Sequence, residues 1–209
     1  MTQHRGQPEK RLAIARGART VFGREGFTRA SVDAIAAEAG VSKRTIYNHF
    51  ADKEYLFRSV ILDGAAEVAA THTQIADRHL RKILDLEEDL IAFGLEWASS
   101  PTAFAGHFAL VRAIQAEASH IPLSVLQAWQ EAGPLAFQRE LAGHLRRMAD
   151  RGLLSVPEGT EAEAANLFNL LTFTNVVQRS FYGAVELPEA EVVALVTSGV
   201  KAFLRLYQA

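Results

Sequence analysis

Cysteine is absent from the chain, which removes disulfides, thiolate zinc sites and cysteine nucleophiles from consideration. Also missing is any apolar run near the roughly 20 residues needed to cross a bilayer. The opening "MTQHRGQPEKRLAIARGARTVF" is basic but lacks the roughly 7 to 15 apolar residues of a secretory core. The expectation is a cytoplasmic protein with no membrane partner. Sustained alternation of apolar and polar residues is not found either, so strands are not expected. No glycine-rich phosphate loop and no serine, histidine and acid constellation stands out, and no cofactor is implied.

What is present is a chain of 209 residues, 49% apolar and 22% charged, the balance of an ordinary globular protein with room for two packed units. The net charge of -2 hides an asymmetry: residues 1–58 carry 11 basic against 6 acidic side chains, residues 59–209 carry 11 against 18. A basic head on an acidic body suits a head that meets a polyanion.

Apolar residues recur at three and four along most of the chain, so the fold class is all-α. A first helix is expected from about Glu9 to Glu25, with Ile14, Ala18, Val21 and Phe22 on one face and Gly26 as its left-handed cap. Ser31 offers an N-cap to "VDAIAAEA", Gly40 breaks that helix, and Ser42 caps the next. Helix, tight glycine turn, helix is the layout of a DNA-binding motif. Asp52 caps a long helix that begins at Lys53. Beyond it helices are expected near 78–98, 102–117, 122–131, 134–151, 160–182 and 189–207, with Pro101, Pro122, Pro134 and Pro188 at or just before helix starts.

The stretch "GVSKRTIYNHFADKE" explains the basic head. Val41, Ile46 and Phe50 turn toward the preceding helices, while Lys43, Arg44, Thr45, Tyr47 and Asn48 crowd the outer surface. Lys, Arg and Asn pair with guanine and adenine edges in the major groove, and Thr and Tyr reach phosphate or a thymine methyl. A short helix so decorated is built to meet double-stranded DNA.

The segment "ASVDAIAAEAGVSKRTIYNHFADKEYLF" resembles the signature of the tetracycline-repressor (TetR/AcrR) family of bacterial regulators, with Gly26, Phe27, Ile35, Ala36, Gly40, Val41, Tyr47, Phe50, Lys53 and Leu56 in register. The resemblance implies an N-terminal three-helix DNA-binding domain with a helix-turn-helix, residues 1–52. A C-terminal helical bundle for ligand binding and dimerisation, residues 53–209, would follow. It implies groove and flanking contacts from Lys43, Arg44, Thr45 and Asn48, and phosphate contacts from Tyr47, His49 and Lys53, with Ser31 and Ser42 in the same DNA-binding set. Glycine is common where Arg44 stands, so Arg44 reads a base or adds backbone affinity. Lys53, at a helix start, gains nothing from the helix dipole, and a phosphate would give it a reason.

Residues around "FALVRAIQAEASHIPLSVLQAWQEAG" and "RGLLSV", with Glu117, Pro122 and Gly152 to Leu154, also resemble the subgroup with an AefR-like C-terminal domain. Phe93, Trp97, Phe104, His107, Phe108, Val111, Arg112, Gln115, Trp129 and Phe137 have the composition of a small-molecule cavity and equally of a core. The resemblance favours a cavity for an apolar or aromatic effector, repression as the default state and a homodimer on a palindromic operator. Apolar faces on the last two helices (Ala165, Phe168, Leu170, Leu171 and Val176; Val192, Leu195, Val196, Val200, Phe203 and Leu204) suit a four-helix dimer interface.

The rival readings are thin. His72 and His79, with Asp77 nearby, lie seven apart, which is not a chelating spacing, and solvent-facing histidines are the commoner case; no metal and no enzyme are expected. "DLEEDL" at 85–90 reads as a solvated charged face. An architectural DNA-binding protein would leave the middle of the chain without a purpose.

Overall fold

The computed structural model describes residues 6–207, and every regular element among them is helical. In order these are α1 (Gly6–Arg29), α2 (Val32–Glu38), α3 (Lys43–Tyr47), α4 (Lys53–Leu80), α5 (Leu86–Ala98), α6 (Ser100–Ala103), α7 (Ala105–Ala116), α8 (Leu123–Ala132), α9 (Pro134–Asp150), α10 (Glu161–Asn169), α11 (Asn175–Arg179) and α12 (Glu189–Tyr207). A 3-10 turn at Ala118–His120 follows α7, and a π-helical turn at Leu170–Thr174 joins α10 to α11. No helix of the described residues is long and apolar enough to cross a membrane.

The chain packs into two compact units that do not follow chain order. One runs through Ala66 and takes in Gly106–Trp129; the other comprises Glu67–Ala105 and Gln130–Ala209. The first is built on Ile14, Ala18, Val21 and Phe22 of α1, Ile35 of α2, Ile46 of α3 and Leu56, Phe57, Val60 and Ile61 of α4. Leu110, Ile114, Ile121 and Val125 complete the same core. Gly17 lets α1 and α2 touch: a Cβ there would lie 2.9 Å from the Ala39 backbone nitrogen.

Gly26 interrupts α1, but not as the expected left-handed cap. Its φ of 79° and ψ of 173° fall in a region open essentially to glycine alone, and the chain resumes a helical turn to Arg29. Gly40 (φ 64°) does take the left-handed position. The bonds Val41 N–H to Ala36 O (3.0 Å) and Gly40 N–H to Ala37 O (3.2 Å) close α2 with a Schellman motif.

In the second unit α5, α9, α10 and α12 enclose Leu90, Phe93, Phe168, Leu141, Leu145, Val196, Val200 and Phe203. Here the elements depart from expectation. Where one helix was expected over 78–98, α4 continues to Leu80 and α5 starts at Leu86. Asp85 accepts from Glu88 N–H (2.9 Å), and Asp89 accepts from the N–H groups of Leu84 (2.7 Å) and Asp85 (3.1 Å). "DLEEDL" is thus a helix start rather than only a solvated face, as the Asp85…Glu88 spacing of a capping box could have signalled. Phe104 (φ -116°, ψ 44°) separates α6 from α7, so 102–117 is not one helix.

The apolar faces assigned to a dimer interface are in large part core. Ala165, Phe168, Val176, Val196, Val200, Phe203 and Leu204 are buried within the chain, because α10 packs on α9 and α12 packs on α5 and on the π turn. Gly94 and Gly199 allow that approach: a Cβ at Gly94 would meet Val196 Cγ1 at 2.7 Å, and one at Gly199 would overlap the Leu171 carbonyl. Leu171, Val192 and Leu195 remain half-buried and Leu170 exposed.

Candidate nucleic-acid interface and sensing core

α3 is only five residues long, too short to hold itself, and its neighbours fix it. Ser42 Oγ accepts from Thr45 N–H (3.1 Å) and pairs with Thr45 Oγ1 (2.8 Å). Ile46 and Phe50 anchor its inner side. Arg11 of α1 donates to the His49 carbonyl (3.1 Å) and lies 4.4 Å from the Phe50 ring centroid, closing the helix exit from 38 residues away, a pairing that no spacing rule signals.

The outer side is polar and open: Ser42, Lys43, Arg44, Tyr47 and Asn48 are exposed, with Thr45 and His49 half-buried beside them. Ser31 is exposed at the start of α2, where its Oγ accepts from Ala34 N–H (3.0 Å). Lys43 Nζ rests 2.9 Å from Asp33 Oδ2, and that hydrogen bond, followed by the charge of Asp33, holds the ammonium above its usual range. Asp33 was not foreseen. A salt bridge so exposed is weak, so Lys43 is free to exchange it for a base or a phosphate.

Lys53 departs from the expectation that the fold offers it nothing. Its ammonium donates to the carbonyls of Phe27 (2.9 Å), Ala30 (3.1 Å) and Thr28 (3.4 Å) and sits 4.7 Å from the Phe27 ring centroid. Three donors meet three acceptors.

The ten residues expected to bind ligand divide between the units. Phe93, Trp97, Phe104 and Phe137 lie in the second; His107, Phe108, Val111, Arg112, Gln115 and Trp129 lie in the first. In the second unit Phe93 stacks on Trp97 at 5.4 Å, Trp97 stacks on Phe173 at 4.6 Å, and Phe137 meets Trp97 edge-on at 5.0 Å. His72 is at the centre of this cluster and 6% exposed, not solvent-facing as expected. Its Nδ1 accepts from Trp97 Nε1 (3.2 Å), so its Nε2 carries the proton and donates to Ser100 Oγ (2.8 Å), which donates on to the Trp97 carbonyl (2.7 Å).

In the first unit His107 and Phe108 meet edge to face at 5.5 Å, Trp129 packs partly buried against the core and Gln115 is exposed. Burial, and then the charge of Arg19, push the His107 pKa down to about 4.

Two cavities open in the second unit. One of about 600 Å³ is lined by Leu95, Ala98, Pro101, Val176, Val192 and Val193 among others. One of about 500 Å³ lies along Leu171, Asn175, Leu195, Ser198 and Ala202. None of the ten expected residues lines either. His79 bonds Glu96 (2.6 Å) and His144 pairs with Asp77 (3.2 Å). Among the described residues no group of His, Cys, Asp and Glu could hold a metal.

A capped short helix that turns basic and amide side chains outward, held by a glycine turn against two other helices, defines the helix-turn-helix class of transcriptional regulators. Known proteins agree with that class. The pattern of the bacterial regulatory proteins of the tetR family matches residues 14–60, and that of the AefR-like transcriptional repressor C-terminal domain matches residues 90–209. The chain belongs to the tetR family, with an AefR-like C-terminal domain, a family of transcriptional regulators and not of enzymes.

Among curated relatives, the regulator UidR of Escherichia coli K12 is 40% identical over 68 residues, 32% of this chain and 34% of its own. The repressor AcnR of Corynebacterium efficiens is 38% identical over 61 residues, 29% and 32% of the two chains. The chain thus matches about a third of the length of these relatives. A solved structure described as a TetR-family transcriptional regulator from Mesorhizobium loti is 27% identical, covers 100% of both chains and superposes with a TM-score of 0.84. The flavonoid-responsive regulator FrrA is 28% identical with a TM-score of 0.69, over 96% of this chain and 98% of its own.

Proposed function

We propose that the chain is a cytoplasmic repressor that binds a palindromic operator as a homodimer and is released by a small apolar or aromatic effector. The observation that carries this reading is the outward set Lys43, Arg44, Tyr47 and Asn48 on a helix whose entry and exit are both fixed. Lys43, Arg44, Thr45 and Asn48 meet the groove and its flanks; Ser31, Ser42, Tyr47 and His49 meet phosphates. The DNA-contacting surface belongs to residues 1–52, while 53–209 sense and dimerise and also supply the segments 53–66 and 106–129 that pack in the same unit as the head.

One five-residue helix reads too few bases to be specific, and a dimer presents two to half-sites roughly 34 to 36 Å apart. Half-buried Leu171 and Leu195 border the cavity along α12 together with Ala194 and Ala202, an apolar strip that a second copy would cover. For the effector, the similarity to FrrA, a flavonoid-responsive regulator, supports an aromatic class. The cavity beside Leu95 and Val192 offers mostly apolar room within the size range of small-molecule sites.

Selection of duplexes from a randomised pool tests the reading. A two-fold symmetric consensus, bound by a species of twice the monomer mass in sedimentation, is the expected result. An asymmetric or absent consensus overturns it. A flavonoid panel, scored by release of the selected duplex, tests the effector class.

A further inference from the structure

The last turn of α1 beyond Gly26, with Ala30 after it, is held from two sides by groups of opposite charge. With Gly26 outside helical geometry, Thr28 turns both its donors to one oxygen of Glu117. Its N–H lies 2.9 Å and its hydroxyl 3.2 Å from Glu117 Oε2, across 89 residues of sequence. On the other side the Lys53 ammonium takes the carbonyls of Phe27, Thr28 and Ala30. Both donors of Thr28 go to an anion, and the carbonyls of Phe27, Thr28 and Ala30 to a cation.

Glycine at 26 suits both the backbone and the carboxylate beside it. The positive φ favours it, and a Cβ there would overlap the Glu117 carboxylate. Glu117 directly follows α7, and nothing in helix-turn-helix chemistry asks for an acid at that place. Ser31, which caps α2, comes one residue after Ala30, so the clamped segment sets where α2 begins. α2 in turn fixes α3 through the Gly40 turn.

We propose that Glu117 is a positioning residue for DNA recognition, acting through Thr28 to set the angle at which α2 and α3 leave α1. The assignment rests on the DNA-binding reading given above. A carboxylate that accepts two bonds fixes direction as well as distance, which a lone apolar contact would not. Glue alone would stabilise the unit without favouring one duplex over another; a positioning group changes the ratio of specific to non-specific binding.

The test compares a duplex selected by the wild type with a random duplex of equal length, across a salt series. Glu117→Ala should weaken the selected duplex about tenfold, the equivalent of about 1.4 kcal/mol. Affinity for the random duplex and its salt slope should stay the same. Glu117→Gln, which keeps one acceptor, should fall between. Thr28→Val removes the hydroxyl bond alone, and the Glu117→Ala/Thr28→Val pair should be no weaker than Glu117→Ala. If circular dichroism shows Glu117→Ala unfolded, Glu117→Gln and Thr28→Val carry the same comparison. Equal losses on both duplexes, no loss on either, or additive losses in the pair overturn the assignment. A wild type that selects no duplex overturns the DNA-binding reading itself and this assignment with it.

Discussion

Lys53 meets Phe27 twice, its ammonium 2.9 Å from the backbone carbonyl and 4.7 Å from the ring centroid of the same residue. One side chain therefore closes the end of α1 and begins α4. Lys53→Met keeps the aliphatic stem and deletes the charge. Hydrogen bonds to charged groups contribute about 1.5–3 kcal/mol each at most, and these three share one partly exposed ammonium, so a total loss of about 1–3 kcal/mol in chemical denaturation is expected. With its donors engaged, the salt slope of DNA binding should change by less than about one unit. A full unit lost with stability unchanged would make Lys53 a phosphate contact instead.

Asn48 and Lys43 should govern which sequence is bound. Asn48→Ala is expected to relax preference at one position of each half-site by about 1–3 kcal/mol, leaving binding to random DNA unchanged. Lys43→Ala should do the same at a different position and also free Asp33. Repeating duplex selection with each variant reads the shift directly; an unaltered consensus in both would place the base contacts elsewhere.

The buried bond from Trp97 Nε1 to His72 Nδ1 gives a stability prediction. His72→Ala leaves an indole N–H without its acceptor in an apolar cluster and removes a ring that meets Phe137 and Phe173 at 5.2 and 5.7 Å. Unsatisfied buried donors cost about 1–3 kcal/mol, and the lost ring adds a cavity. The near-ultraviolet dichroism of tryptophan should weaken while operator binding by the folded fraction persists. Stability equal to the wild type would mean the network is dispensable.

His107 supplies a pH dependence. Its folded pKa of about 4 lies below the roughly 6.5 of an unfolded histidine, so the native state binds fewer protons. Its contribution is fully present above pH 6.5 and is lost as pH falls toward 4. The shift corresponds to about 3 kcal/mol at its full extent. Comparing wild type with His107→Gln from pH 7 to 4 isolates it from other titrating groups: the variant should lose less stability over that window. Parallel curves would show that His107 does not carry the dependence.

Much of the fold was legible because its signals are local. Ser31, Ser42 and Asp52 cap where expected, since an N-cap and its partner N–H are three residues apart. The outward residues of α3 follow from helical period and the placement of Ile46. What sequence could not supply was pairing at a distance: Arg11 on His49, Lys53 on Phe27 and Glu117 on Thr28 join residues 38, 26 and 89 apart. Apolar faces on α10 and α12 read alike whether they meet the chain's own helices or a second copy, and here α10 meets α9 while α12 meets α5. Aromatic residues likewise carry no mark of which packed unit they enter, which is why the ligand set falls into two.

The core that seats α3 also holds Leu110, Ile114, Ile121 and Val125, residues far from the motif in the chain. The reader of DNA is therefore not portable as a contiguous cassette. A chimaera cut between residues 52 and 53 would carry away a head fitted to one α7 and α8 and ask it to rest on another. Recombination within the family should succeed only where the donor's counterpart of 106–129, with its Glu117, travels along or where the recipient already offers a matching surface.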